Sequence, residues 1–350
     1  MKKGKILIIS VVLIIVIIIG TVCFYAVNLT PVSKKSEKVE FVVSGGTSKI
    51  IDDLYNAKLI KNKLVAKVYV KLNKIVPLAG KFDLDRKMSV EEIFNVISDT
   101  DSIIREDIVK VLFKEGQRIP DYVKIIEKNF GYSEEEIYKV ISDKKYLNEL
   151  IKKYSFLTED ILNSEIYYPL EGYLFPATYE FYKSASIKSI IEKMLDKTQN
   201  VLDNINVSVS EKSVHEILTI ASIIENEAKM KEDRPIVSQV IYKRLDLNMS
   251  LGMDVTTYYG VKKAFSETLT ASDLATKNAY NTRNMEFIGL PVGPISNPSE
   301  TSIEAALNPS DTEYIYFYAD VYGKDGEDSI GKLHFAKTTS EFEALIRKYR

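Results

Sequence analysis

The stretch LTIASIIENEAK, residues 218–229, is apolar almost throughout until it meets two carboxylates. Ser213 stands where it can cap a helix beginning at Val214, and Glu216 follows three residues later, which completes a capping box. At about 100° per residue, Leu218, Val214, Ala221 and Ala228 all fall within about 60° of Glu225, so that carboxylate sits at the centre of an apolar stripe. Glu227 lies about 160° away, near Ile220 and Ile223. A helix this apolar on every side is predicted to run through the inside of a domain.

A charged carboxylate inside such a helix costs free energy unless it is paired or hydrogen-bonded. Two readings of Glu225 stand side by side. In one it forms a structural ion pair with Arg234, Lys229 or Lys243. In the other it is a general acid, since a buried carboxyl that keeps its proton suits protonation of a poor leaving group such as a glycosidic oxygen. Ala221, one turn back, with Ser222 beside it, is expected to leave room for a substrate. Glu227, near the helix end, is expected to face water or to bridge to Lys231.

Other candidates lie downstream. LGMDVTTYYG, residues 251–260, holds Asp254 among hydroxyls, and its glycine and two threonines predict an extended or bent groove wall. YNTR, residues 280–283, offers a ring, an amide, a hydroxyl and a guanidinium in four residues, a set suited to sugar hydroxyls and acetamides. His215 and His334 are the only two histidines and match no metal-ligand spacing, so no zinc site is expected. Nothing marks a nucleophile elbow or a phosphate-binding loop, and GKDGEDSIGK, residues 323–332, reads as a hairpin turn.

Working outward, SEIYYPLEGYLFPATYEFY packs aromatics and prolines around Glu171. Helices are predicted over 186–205 and 213–230, a loop over 280–299, a buried strand over 313–320 and a short amphipathic helix at the carboxyl end. In the first half, VEFVV at 39–43 is a strand, SGGTSKIIDDLYNAKLI turns into a helix, AGKFDL at 79–84 returns to the sheet, and Ser89 caps a further helix. A strand, glycine and helix pattern recurs over 108–130. This half reads as a small α+β module at 36–100 with a related or mostly helical extension at 106–155; nothing in it marks catalysis, and a plain spacer is one reading of it.

The first thirty residues differ in kind. Lys2, Lys3 and Lys5 precede about twenty-two uncharged residues, enough to cross roughly 30 Å of hydrocarbon. Lysines before the span and none close behind it until Lys34 place the N-terminus in the cytoplasm. The apolar run is too long, and its exit too bulky, for a cleaved signal peptide. Cys23, the only cysteine, sits inside the span, which excludes a thiolate nucleophile outside it. With 350 residues, 45% hydrophobic, 27% charged and a formal net charge of −2, the chain is globular in composition and lacks the basic excess of a nucleic-acid binder.

LEGYLFPATY (170–179), LTIASIIENEA (218–228), VSQVIYKRLDLNMSLGMDVTTYYG (237–260), YNTR with GLPVGPISNPS (280–299), AALNPSDTEYIYFYAD (305–320) and LHFAKT (333–338) occur in order, and together they resemble the endolytic murein transglycosylases of the YceG-like family. The resemblance implies an α+β fold: cytoplasmic residues 1–5, a transmembrane helix at 6–28, a linker at 29–38, a LysM-like module at 39–100, an extension at 101–160 and a catalytic domain at 161–350. It implies an extracytoplasmic enzyme, anchored in the cell membrane and needing no cofactor. The reaction would cleave the β-1,4 bond between N-acetylmuramic acid and N-acetylglucosamine in peptidoglycan and leave a 1,6-anhydromuramyl end. Peptidoglycan synthases would be its candidate neighbours.

The family's catalytic glutamate corresponds to Glu225. Glu171, Glu227 and Asp254 become candidate groove or supporting groups, and Tyr280, Asn281 and Thr282 candidate sugar contacts. Departures from the family pattern include Gly252 and Met253 before Asp254, Ala177 in place of a frequent Asp, and Phe342 with Glu343 in place of a His-Asn pair. The rivals are a hydrolytic muramidase using Asp254 as base, and an inactive envelope scaffold or peptidoglycan-binding protein. An aminodeoxychorismate lyase reading fits poorly with an exported domain that shows no pattern for binding pyridoxal phosphate.

Overall fold

The computed structural model describes residues 2–104, 107–207 and 210–350. Contacts divide the chain after residue 106 into two units, each with its own apolar core.

The first unit begins with α1, Lys2–Leu29, within which Val11–Leu29 is a single helix long and apolar enough to cross a membrane. From Val11 to Phe24 its side chains are exposed, as lipid-facing residues must be. The short linker leads into β1 (Lys38–Val43), α2 (Thr47–Asn56), α3 (Lys63–Leu72), β2 (Gly80–Asp85) and α4 (Val90–Val96). Strands β1 and β2 pair antiparallel with Phe41 opposite Phe82. Alternation along the ribbon turns Phe41, Val43, Phe82 and Leu84 inward, where they meet Ile50, Ile51 and Leu54 of α2. Asn62 caps α3 by accepting from the amides of Leu64 and Val65, and Ser89 caps α4 in a full capping box with Glu92.

The second unit holds β3 (Ile108–Leu112), α5 (Ile119–Phe130), α6 (Glu134–Ile141), α7 (Lys144–Lys153), β4 (Thr178–Tyr182), α8 (Ile187–Asn204), α9 (Val214–Glu227) and α10 (Arg234–Asp246). It continues with α11 (Asp254–Gly260), α12 (Ala271–Ala275), α13 (Glu300–Leu307), β5 (Tyr316–Ala319), β6 (Leu333–Ala336) and α14 (Thr339–Tyr349). Its strands form two antiparallel pairs, β3 with β4 and β5 with β6. Because β3 pairs with β4, residues 107–160 share one ladder and one core with the chain beyond 161.

Helix α9 is the axis of this unit. Residues Ile217 to Ile224 are all buried, against α13, α10 and α11. The capping box of Ser213 and Glu216 forms as the sequence predicts. Ala221 is fully buried in the core, so it leaves no room for a substrate; a helix packed on every side has none to give.

Two local expectations change. Residues 254–260 form the helix α11, not an extended wall. The hydroxyl of Thr256 donates to the Met253 carbonyl and meets the Thr282 hydroxyl, while Thr257 donates to Asn281. These tertiary hydrogen bonds outweigh the weak strand preference of two threonines. The strand at 316–319 is half-buried throughout rather than buried, because a two-stranded ribbon has only one partner. The segment 321–332 does turn β5 back into β6.

Candidate active site

Glu225 lies in the last turn of α9, and its side chain is only 7% exposed. Its Oε2 accepts from the backbone amide of Ser299 at 3.0 Å, the Ser299 hydroxyl at 2.5 Å and the Ser302 hydroxyl at 2.8 Å. Its Oε1 accepts from the Arg234 guanidinium at 3.2 Å. Ser299 is the N-cap of α13, so the carboxylate meets the positive end of that helix. Arg234, buried at the start of α10, also donates to the hydroxyls of Ser299 and Thr301. Both readings of Glu225 therefore meet in one place: it is ion-paired with Arg234, and it lines a groove.

That groove encloses about 910 Å³. Its walls come from the turn at 115–121, from Tyr167 and Tyr168, from Glu225 to Glu227, and from the segment 259–265. Gly116 (φ +71°) passes close to Glu225: a β-carbon there would stand 3.6 Å from the Glu225 Cγ. Tyr167, Tyr168 and Phe265 supply flat apolar surface, backed by the buried Tyr259, and Arg118, Lys124, Lys229, Lys262 and Lys263 supply positive charge. The Arg118 guanidinium stacks over Tyr259 and Phe265 and donates to the Lys263 carbonyl, which pins one wall. Aromatic faces with flanking cations suit an anionic polysaccharide.

Glu227 also reaches the groove, although protein surrounds most of its carboxyl. Burial pushes that carboxyl up to about 7, and the charge of Asp254 adds to the effect, against Arg283 and a hydrogen bond from the Val255 amide. It makes no ion pair with Lys231 among the described residues, because the chain beyond it turns away through Lys231–Asp233. Asp254 itself is half-exposed, bonded to the Arg283 Nε at 2.5 Å, and does not line the groove.

Glu171 is buried beneath the groove floor. Both of its oxygens accept from the Ile119 amide at 3.1 Å, and Tyr259 and Asn297 donate at 3.2 Å. Burial pushes its carboxyl up to about 8 against those donors and Arg118. It fastens the start of α5, α11 and the 292–299 loop together. Asn297 extends the fastening: its Oδ1 accepts from the amides of Gly172 and Leu174, and its Nδ2 donates to the Gln117 carbonyl.

Tyr280, Asn281 and Thr282 are fully buried and stay away from the groove. Asn281 donates to the carbonyls of Asp273, Leu274 and Thr276, and its own oxygen accepts from Thr257. Tyr280 packs against Tyr167 and Tyr259, and Thr282 accepts from the Met253 amide. Three members of a quartet that looked suited to a sugar instead bond and pack within the protein, and the fourth, Arg283, pairs with Asp254. His215 is likewise structural, bonded to the Tyr173 hydroxyl and the Val292 carbonyl.

Sequence reasoning missed the contribution of 115–124, which forms the wall facing Glu225, and that of Ser299 and Ser302. The first carried a signal: EGQRIP places a glycine, an arginine and a helix-starting proline in six residues. The serines carried little, since the spacing from Glu225 to Ser299 gives no hint of contact.

The model of the YceG-like family matches residues 41–348, and the chain belongs to that family. It is 32% identical over 342 residues to an endolytic murein transglycosylase of Bacillus subtilis (strain 168), covering 95% of this chain and 91% of that protein. It is 27% identical over 341 residues to one from Streptococcus pneumoniae (strain D39), covering 92% of this chain but only 60% of that longer protein. Its fold is similar to the crystal structure of a yceG-like protein from Listeria monocytogenes, with a TM-score of 0.62 and 32% identity, over 89% of this chain and 100% of that one.

Proposed function

We propose that this chain is a membrane-anchored lytic transglycosylase that cuts inside the glycan strands of peptidoglycan, with Glu225 as its acid and base. The observation that carries this reading is the Glu225 carboxylate at the edge of a polysaccharide-sized groove, fixed by four donors. In the first step the Glu225 proton passes to the glycosidic oxygen as the bond to the muramyl C1 breaks, releasing the N-acetylglucosamine hydroxyl. In the second, the C6 hydroxyl of the same muramyl residue closes on C1 and returns its proton to Glu225. No water is consumed, and the new end is a 1,6-anhydro sugar. The ring-closing hydroxyl has a high effective molarity, so one carboxylate suffices where a hydrolase uses two.

Ser299, Ser302, Arg234 and the end of α13 have a defined part in this cycle. They hold the carboxylate that exists between the two proton transfers, in place and without reorganisation. Serine hydroxyls can also turn to accept, so they follow the carboxyl through both states. Arg118, Lys124 and Lys262 would meet the lactyl or stem-peptide carboxylates, and the tyrosines the apolar faces of the sugars.

The β-α-α-β order of residues 38–85 supports a LysM-like module at 39–100, and residues 161–350, with the 101–160 extension, serve as the catalytic part. Lysines ahead of the apolar span of α1 support an inside N-terminus and an outside enzyme, beside the synthases that make nascent strands. One observation favours a second reading, a hydrolytic muramidase: Glu227 shares the groove, and burial pushes its carboxyl up to about 7.

Digestion of purified sacculi with the protein and with Glu225→Gln tests both, read by mass spectrometry of the glycan ends. Anhydro ends from the wild type and none from the variant are expected. Reducing ends from the wild type would establish the hydrolase. Equal cleavage by the variant would leave an idle scaffold for Glu225 and overturn the proposal.

A further inference from the structure

Helix α3 of the first unit carries an apolar row that none of the described residues covers. Its inner face, Val65, Ala66 and Val70, packs into the core. On the outer face, Leu64, Val68 and Leu72 recur every fourth residue and are 73, 48 and 71% exposed, with Val76 just beyond at 74%. Four large apolar side chains in one strip make an unusual surface for a domain this small. Beside the strip runs a second row, Lys63, Lys67 and Lys71, followed by Lys74. Lys63 is paired with Asp52, whereas Lys67, Lys71 and Lys74 have no ion pair among the described residues. Those three line a shallow groove of about 560 Å³ together with Thr47, Ser48 and Val76.

The location of α3 supplies the occupant. Lys61, just before it, donates to the Thr30 hydroxyl at 2.6 Å and to the Val27 carbonyl at 3.4 Å, both at the end of α1. Leu29 packs against the core that α3 completes. Tyr69, in the middle of α3, is near enough to Tyr25 for the two phenols to interact. Tyr25 lies four residues inside the end of the apolar span, about 6 Å along the helix axis. The amphipathic helix is thus held beside the last turns of α1, at the depth of the lipid headgroups.

We propose that α3 lies on the bilayer that α1 crosses, with Leu64, Val68, Leu72 and Val76 in the boundary between headgroups and acyl chains, and with Lys67, Lys71 and Lys74 on the phosphates of anionic phospholipids. The chemistry is that of an interfacial helix: apolar side chains enter the acyl boundary while lysine stems lie along it and carry their charges outward. Anionic lipid adds an attraction for each lysine. A membrane helix alone would let the first unit swing on the linker. A second contact fixes its height and tilt over the bilayer. This inference rests on α1 spanning a membrane and is independent of the reaction proposed above.

The test uses the full chain in vesicles, with Cys23→Ser and a nitroxide at Val68→Cys, Leu72→Cys or Asp83→Cys in turn. Asp83 is exposed on the outer face of the β1–β2 ribbon, across the core from α3. In vesicles of phosphatidylcholine with phosphatidylglycerol, positions 68 and 72 should relax with lipid-dissolved oxygen and be shielded from an aqueous nickel chelate. Position 83 should show the reverse. Because α1 anchors every variant, loss of the contact reads as a change in depth, not as loss of protein. Lys67→Glu, Lys71→Glu and Lys74→Glu together should raise nickel access at position 72 about tenfold. Positions 68 and 72 as open to nickel as position 83 would overturn the proposal. Shielding from both reagents with spin–spin broadening would assign the strip to a second copy of the chain, and would overturn it too. Equal depth in pure phosphatidylcholine would remove the part given to the lysines.

Discussion

Glu225 is a paired carboxylate that still borders the groove. Its four donors come from Arg234 at the start of α10 and from Ser299 and Ser302 at the start of α13, and among the described residues none comes from the side of Gly116 and the groove. Glu225→Gln keeps the shape and removes the proton relay, so release of anhydro ends should fall by about 10²–10⁴-fold with little change in melting temperature. Ser302→Ala removes one donor to the carboxylate and should lower kcat by roughly tenfold while leaving KM for sacculi nearly unchanged.

The neighbouring Glu227 predicts a pH effect on stability. Its carboxyl is held up near 7 in the fold, against an ordinary value of 4.5. Between those values the native state keeps a proton that the unfolded chain has released, so the native state binds more protons and stability falls as pH rises. Glu171, pushed up to about 8, acts in the same direction over a window reaching one unit higher. Denaturant unfolding at pH 5 and pH 7.5 should show the decline, and Glu227→Gln should reduce it by about 1–3 kcal/mol. An unchanged decline in the variant would assign it to other groups.

At the scale of elements, loops do the positioning. The 292–299 loop is stitched to the turn at 116–117 and to the turn at 170–174, so the two groove walls and the α13 cap move together. Gly172 sits at φ +83°, and a β-carbon there would stand 2.3 Å from the Pro294 Cβ. The 280–282 segment plays the same structural part behind the groove. Asn281→Ala removes the amide that donates to the carbonyls of Asp273, Leu274 and Thr276, so it should lower stability by about 1–3 kcal/mol. At a temperature where the variant stays folded, its kcat/KM should lie within several-fold of the wild type. A collapse of KM with unaltered melting would return Asn281 to the substrate.

Considered whole, the molecule keeps its candidate chemistry in one unit. Every residue lining the groove lies between Asp107 and Arg350, within a single apolar core. A chain of residues 107–350 should therefore fold and release anhydro ends at a kcat within several-fold of the full protein. Its KM for sacculi should rise, since the first unit and the membrane helix would no longer hold it near strands. Circular dichroism and the same end-group assay check both halves of that expectation.

Much of this architecture was legible in local pattern. The cap at Ser89, the capping box at Ser213, the strand at 39–43 and the stripe around Glu225 each need only neighbouring residues to be read, and the structure forms all of them. What misled was polarity without location. Asn281 and Thr282 look outward-facing on paper but are fully buried, and the threonines of 256–257 suggested a strand but form a helix, because distant partners satisfy them. Gln117, Arg118 and Lys124 looked like part of a spacer, yet they form the wall opposite the carboxylate.

The sequence by itself determined the membrane helix, the buried axis α9 and the carboxylate set into it, because hydrophobic period and capping act over a few residues. Only the tertiary structure decided what surrounds that carboxylate. Ser299 and Ser302 come from more than seventy residues away, and Gly116 from more than one hundred, so their meeting at Glu225 depends on chain reversals that no local pattern records.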